Sequence, residues 1–307
     1  MNVYRLHIRP QGGLAKPDVS FAYCLRAKVL GVGWQTYSAK PISCWADYEA
    51  EASRHHPDLS RVRYLKDRVK PADLLWTRCP AGNYYLAKVE SEWEYLTGPE
   101  AQDADIVNVV RCQILQVPAV DDVPGKIVAC FRPTRTIQSI KDETSRQYSQ
   151  FLWNKLSGTL TYDLSEHAPR NLFSMLGAEA TEDVLFLYLQ VQGWLVVPNS
   201  RKADTMSYEF YLIHGQTRRR AIIQIKTGDT GLCTRDWKSR AEHVFLFQSN
   251  GRYSGEPQPD VECLSPGAVE TFMRANRDLF PSNISFWLDY AAPSPTPHSE
   301  AAEVPQA

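Results

Sequence analysis

One stretch limits the folds open to this chain more than any other. Tyr208-Glu209-Phe210-Tyr211-Leu212-Ile213 leads through an arginine-rich turn into Ile222-Ile223-Gln224-Ile225-Lys226-Thr227-Gly228. The pattern predicts two adjacent strands joined as a hairpin. Side chains alternate along a strand, so Gln224 and Lys226 share one face while Ile223 and Ile225 point to the other. Glu209 precedes Gln224 by fifteen residues, which lets it lie across from Gln224 and Lys226. A carboxylate, an amide oxygen and the Ile225 backbone carbonyl make an oxygen-only donor set of the kind that Mg²⁺ prefers. Lys226 beside them would orient an attacking water or steady the charge that develops on phosphorus.

A second acid precedes this hairpin. Glu182 lies on the same helical line as Leu185, Phe186 and Leu189, the line expected to pack on the sheet. A carboxylate there costs free energy unless it meets a cation or a metal. Each residue alone has a plainer reading. Glu209 suits the solvated start of a strand, Gln224 and Lys226 the wet face of an edge strand, and Glu182 the start of a helix. Their succession (helical acid, strand acid, Gln-x-Lys) favours a site.

The rest of the chain sets the frame. Its 307 residues suggest two domains, and the formal net charge of -1 gives no global attraction to nucleic acid, so any such surface must be local. The 7 cysteines are scattered with no CxxC pair, which argues against a zinc site or a disulfide framework and fits a reducing, cytoplasmic setting. No apolar run is long enough for a membrane span.

Residues 1–136 read mostly as β. Strands are expected at 3–8, 21–30, 106–117 and 126–132, a short helix at 46–54, and a hairpin over 73–89. Many short strands suggest a small barrel or sandwich. Residues 137–176 read as a helical linker, with helix over 137–156 closed by Gly158 and a break at His167-Ala168-Pro169. Residues 177–290 read as a buried helix over 178–192, four strands, and a final helix begun by Ser265-Pro266. Residues 291–307, rich in Pro, Ser, Ala and Glu, read as a disordered tail.

At these residues the second half resembles the PD-(D/E)xK nuclease superfamily, in its Mrr-like branch with Gln-x-Lys. The resemblance is carried by Thr181-Glu182-Asp183-Val184, Gly193-Trp194-Leu195-Val196-Val197-Pro198, Tyr208-Glu209-Phe210, Gln224-Ile225-Lys226-Thr227-Gly228 and Val244-Phe245-Leu246-Phe247. It implies a restriction-endonuclease-like mixed sheet flanked by helices. Its catalytic residues would be Glu209, Gln224, Lys226 and Glu182. Glu209, Gln224, the Ile225 carbonyl and Glu182 would hold Mg²⁺, or Mn²⁺ in its place. The strand acid is Glu where Asp is usual, and the neutral Gln224 replaces the commoner acid, which points to a single metal ion. Arg218, Arg219 and Arg220 in the turn are expected either to touch the DNA backbone beside the site or to form a soluble hairpin tip.

The first half gathers Trp34, Trp45, Trp76 and Trp93 among many cations. Aromatic faces beside cations suit base stacking, although tryptophans of small β domains are more often core. Gly33-Trp34, Lys70-Pro71-Ala72-Asp73-Leu74-Leu75-Trp76 and Tyr84-Tyr85-Leu86-Ala87-Lys88-Val89 resemble the PUA-like superfamily, which includes EVE and YTH domains. That resemblance implies a small β-barrel that holds a flipped, modified base, with Gly33, Trp34, Trp45 and Trp76 as the expected pocket.

The expectation is an α+β, two-domain, modification-dependent endonuclease of the type IV restriction kind, acting on double-stranded DNA as a homodimer. Two alternatives stay open. The first domain could sense RNA or a nucleotide signal, or the whole could be a non-catalytic DNA-binding protein with a degenerate nuclease fold.

Overall fold

The computed structural model describes residues 1–9, 15–37, 41–132, 135–164, 172–202, 208–238 and 242–289, the side chains of Arg201 and Lys202 excepted. The chain divides into two compact units, Met1–Glu166 and His167–Ala307. Both are mixtures of helix and strand.

In the first unit β1 (Val3–Leu6) is followed by α1 (Pro17–Ala27), where a strand over 21–30 was expected. Pro17 pre-sets the first helical turn, and Asp18 complements the helix dipole. Phe21 and Cys24 are buried at helical spacing. Lys28, left-handed at φ 54°, ends the helix, and only Val29–Val32 remains as strand β2. Next come α2 (Trp45–Ala52), α3 (Ser60–Arg68) and the expected hairpin of β3 (Leu74–Arg78) and β4 (Tyr84–Val89). Then follow β5 (Glu94–Tyr95), α4 (Pro99–Asp103) and β6 (Asn108–Gln116). The strand expected over 126–132 is instead helix α5 (Gly125–Cys130), with Ile127 and Cys130 buried one turn apart. The unit closes with β7 (Ile137–Ile140) and α6 (Glu143–Ser157).

These strands form one curled half-barrel sheet in the order β2-β6-β4-β3-β1-β7, with β5 also on β6. β1 and β3 run parallel, and the other pairs are antiparallel. The expectation that residues 137–176 are a linker is corrected. β7 pairs with β1 along its length, and α6 buries Tyr148, Leu152 and Trp153. Ile137 begins strand β7 by pairing with Leu6, and helix α6 starts only after it, at its cap, where the Asp142 carboxylate accepts from the Ser145 N–H at 2.8 Å. Gly158, at φ 68°, ends it as expected. The expected break at His167-Ala168-Pro169 and the expected tail over 291–307 lie outside the described residues.

The second unit opens with α7 (Leu172–Val191), interrupted at Gly177 (φ 75°). It continues through β8 (Trp194–Val196), β9 (Phe210–His214), β10 (Arg220–Lys226), β11 (Leu232–Cys233), β12 (His243–Gln248), β13 (Tyr253–Ser254) and β14 (Val261–Leu264). Helices α8 (Pro266–Ala275) and α9 (Ser282–Ser285) end it. The main sheet has the order β14-β12-β10-β9-β8. β8, β9 and β10 form an antiparallel meander, while β10, β12 and β14 run parallel, so the sheet is mixed as expected. Phe173 and Phe186 of α7 meet Phe247 and Phe210 edge-on. α7 therefore covers the face that carries Ile223, Ile225, Phe245 and Phe247.

Two outcomes test this packing. Trp76 is fully buried and donates from Nε1 to Ser149 Oγ at 3.0 Å. Trp76→Ala should lower the stability of the first unit by about 3–5 kcal/mol in denaturant unfolding. The buried His7 imidazole is held well below its ordinary 6.5, at about 4, by burial first and then by Arg9, Arg5 and Arg78. Between pH 4 and 6.5 the unfolded chain binds a proton that the folded chain refuses, so stability rises with pH there and is lost on acidification. His7→Gln should flatten the slope of Tm against pH in that window.

Candidate functional site

The polar face of β10 is built by register. Ile223 pairs with Phe210, and the Glu209 N–H also reaches the Ile223 carbonyl at 2.8 Å, so the chain enters β9 one residue out of step with the ladder, with the Glu209 carboxylate against Gln224. Gln224 is 6% exposed, and its Nε2 donates to Glu209 Oε1 at 3.0 Å. The same nitrogen donates to the Ile225 carbonyl at 3.2 Å. Two oxygens thus converge on one partial positive charge. Lys226 follows on the same face, half-buried, and its ammonium makes no ion pair or hydrogen bond among the described residues. Next to β10, Gln248 is fully buried and holds the chain after Lys226. Its Nε2 donates to the Gly228 carbonyl at 2.8 Å and to the Thr230 carbonyl at 3.2 Å. Gln248 was not singled out in the sequence, because a polar residue ending an apolar strand carries no local signal of what it will hold.

Glu209, Gln224, the Ile225 carbonyl and Lys226 are therefore brought together, and one other expectation is corrected. Glu182 comes from α7, whose Phe186 packs on the face of the sheet opposite Gln224 and Lys226. Arg218, Arg219 and Arg220 lie at the far end of β10, about 20 Å along the strand from Lys226. They are not beside the site. Arg219 instead pairs with Asp260 at 2.9 Å and contacts His243 Nδ1 at 3.2 Å.

The first unit holds a cavity of about 840 Å³. Gly31, Val32 and Gly33 at the end of β2 line it on one side, and His7, Arg9 and Thr136 on another, so residues that flank both ends of the curled sheet contribute. Trp34 lines it too. Its Nε1 donates to the Asp58 carbonyl at 3.0 Å, which fixes the indole. A Cβ at Gly33 would stand 2.3 Å from Asp105 Oδ1, so the Asp105 side chain occupies the space that a side chain at 33 would take. The fully buried Asn108 donates to the Gly33 carbonyl and, at 3.0 Å, to the Tyr48 hydroxyl, so the Gly33-Trp34 corner rests on the core.

Trp34 and Gly33 thus stand where a pocket was expected. Trp76 does not, because it is core with no exposed surface. Trp45 does not line the cavity either. It packs edge-on against Trp93 at 5.2 Å beneath the Lys66 ammonium, and its Nε1 is spent on Glu49. Asp105, Gln35, His56 and Tyr37, which also line the cavity, carry no pattern in the sequence that marks them. Asp105 is far from Gly33 in the chain, and only the β2–β6 pairing brings them together.

Among the described residues no group of three or more His, Cys, Asp or Glu side chains is arranged as a metal cluster. The convergent set at Gln224 consists instead of one carboxylate, one amide and one backbone carbonyl. No protein-family model matches the chain, and no curated protein matches it.

The two glycines of this corner should respond differently. A Cβ on Gly31 would fall 2.2 Å from the Asn108 carbonyl oxygen, where relief requires parting β2 from β6. Gly31→Ala should cost roughly 3 kcal/mol or more, whereas Gly33→Ala should cost less because the Asp105 side chain can turn aside. Thermal unfolding of the two variants compares them directly.

Proposed function

We propose that the chain is a modification-dependent DNA endonuclease, in which the first unit reads a modified base, a cytosine derivative, and the second hydrolyses phosphodiesters. The observation that carries this reading is the Glu209–Gln224 pair beside a half-buried Lys226 that has no ion pair or hydrogen-bond partner for its ammonium among the described residues. An unpaired lysine in a partly desolvated place costs free energy that a bound phosphate would recover.

The donor set fits a divalent ion. Glu209 Oε1 and the Ile225 carbonyl already converge on the positive end of the Gln224 amide, and a half-turn of that amide would present Oε1 beside them. Mg²⁺ held there would lower the pKa of a bound water and offset phosphate charge. Lys226 places a fixed positive charge on the same face, where it steadies the negative charge that builds on the phosphoryl oxygens. Gln248 keeps the backbone after Lys226 from shifting, which preserves that aim. Cutting both strands takes two such faces, so a homodimer is part of the proposal. In the first unit the cavity supplies an indole for stacking, and Arg9 and Arg61 supply charge for the flanking phosphates.

With Mg²⁺, the full chain should cut duplex DNA that carries 5-modified cytosine and spare the unmodified duplex. Equal cutting of both would sink the reader half. Lys226→Ala should lower the cleavage rate roughly 100-fold or more while leaving DNA binding in place, and undiminished cutting would remove the site. Gln224→Glu should tighten Mg²⁺ binding roughly tenfold in calorimetry, since it replaces an amide with a second carboxylate. An unchanged affinity would mean that residues 209 and 224 do not hold the ion.

A further inference from the structure

We propose that Asp105 is the specificity-determining residue of the first unit's cavity, selecting bases that carry an exocyclic amine and rejecting those with a carbonyl in its place. The proposal rests on reading that unit as a base reader for modified cytosine.

Three observations converge on this residue. Its carboxyl is half-buried in the cavity wall under Gly33, within the space a side chain at 33 would fill. Its hydrogen bonding is incomplete: Oδ1 accepts from Gln35 Nε2 at 3.3 Å, while Oδ2 accepts no hydrogen bond among the described residues. Its backbone is left-handed at φ 50°, and that of Trp34, on the same cavity, is left-handed at φ 64°. Aspartate tolerates that conformation whereas an indole rarely adopts it, so the strain falls on Trp34, which stands where placement of a group matters. Burial also pushes the Asp105 carboxyl above the usual carboxylate range, with Gln35 and then His56 opposing. A carboxyl in that state is short of a donor.

The chemistry of the ligand follows. A base seated against Trp34 presents its edge to Asp105. Cytosine and its 5-substituted forms offer an amino N–H, which Asp105 Oδ2 accepts. Uracil and thymine put a carbonyl oxygen at that place, so two acceptors would face each other without water between them. A buried polar group left unmatched is what makes such a site selective.

The test uses the full chain and four duplexes of one sequence. They carry at one position cytosine, 5-methylcytosine, 5-hydroxymethylcytosine or 5-hydroxymethyluracil. The last two share their 5-substituent and differ in amine against carbonyl. Fluorescence anisotropy at Mg²⁺-free conditions separates binding from cutting. The wild type should bind 5-hydroxymethylcytosine roughly tenfold or more tighter than 5-hydroxymethyluracil. Asp105→Asn, which keeps the shape and adds a donor, should erase or invert that ratio, and Asp105→Ala should erase it. Circular dichroism and Tm confirm that both variants are folded. If modified cytosine binds and Trp34→Ala weakens it, but the ratio survives both Asp105 variants, Asp105 is not the reader of the amine. If no modified cytosine binds tighter than cytosine, the reading of the first unit fails, and this proposal falls with it.

Discussion

The pairing of β9 with β10, which ends at Phe210 and Ile223, sets the register on which the second unit's polar face depends, and the hydrogen bond from the Glu209 N–H closes it on the Ile223 carbonyl. A ladder slipped by one residue would turn the inner residues of β9 outward and carry the Glu209 carboxylate away from Gln224. The bond lies just beyond the last formal pair of β9 and β10, where the ladder gives out. Backbone groups inside a ladder are already satisfied. Those at its end are still free to serve a ligand. Glu209 and Lys226 both stand at that end.

The first unit follows the same rule with different means. Gly33 lies just past the end of β2, and Asp105 lies just before β6. Here the fixing device is a buried side-chain amide. Asn108 donates to the Gly33 carbonyl and to Tyr48, and accepts from Trp93 Nε1 at 3.2 Å. A corner that strained would relax if it rested on solvent-exposed groups. It is instead tied to a dense aromatic cluster in which Tyr48 meets Trp45, Trp93 and Tyr95.

What was legible in the chain was short-range. The 73–89 hairpin, the Ser265-Pro266 helix start and the Gly158 cap are written in neighbouring residues, and they formed. The Glu209–Gln224 meeting was also legible, because strand alternation and hairpin length are local rules. The misreadings have a common cause. Residues 21–30 and 126–132 are apolar enough for either helix or strand, and the choice lay with Pro17, Lys28 and the burial of Ile127 and Cys130. The turn arginines seemed close to Lys226 in sequence, yet an extended strand carries them away from it. Trp76 could not be told from a pocket residue because core and ligand sites ask for the same aromatic surface. Asp105 had no local pattern at all, since its partners lie in a distant strand.

The parallel arrangement of β10 and β12 has a consequence for synthesis. β9 and β10 are neighbours in the chain, but the strand that flanks β10 on its other side ends only at Gln248, and β14 and α8 follow later still. A ribosome must therefore have made more than half of the second unit before the backbone beyond Lys226 is held by Gln248. Incomplete chains that stop short of residue 243 carry Glu209, Gln224 and Lys226 without the neighbour that steadies them. Under the proposed endonuclease reading, such late completion of the polar face would leave nascent and prematurely terminated chains without a finished site.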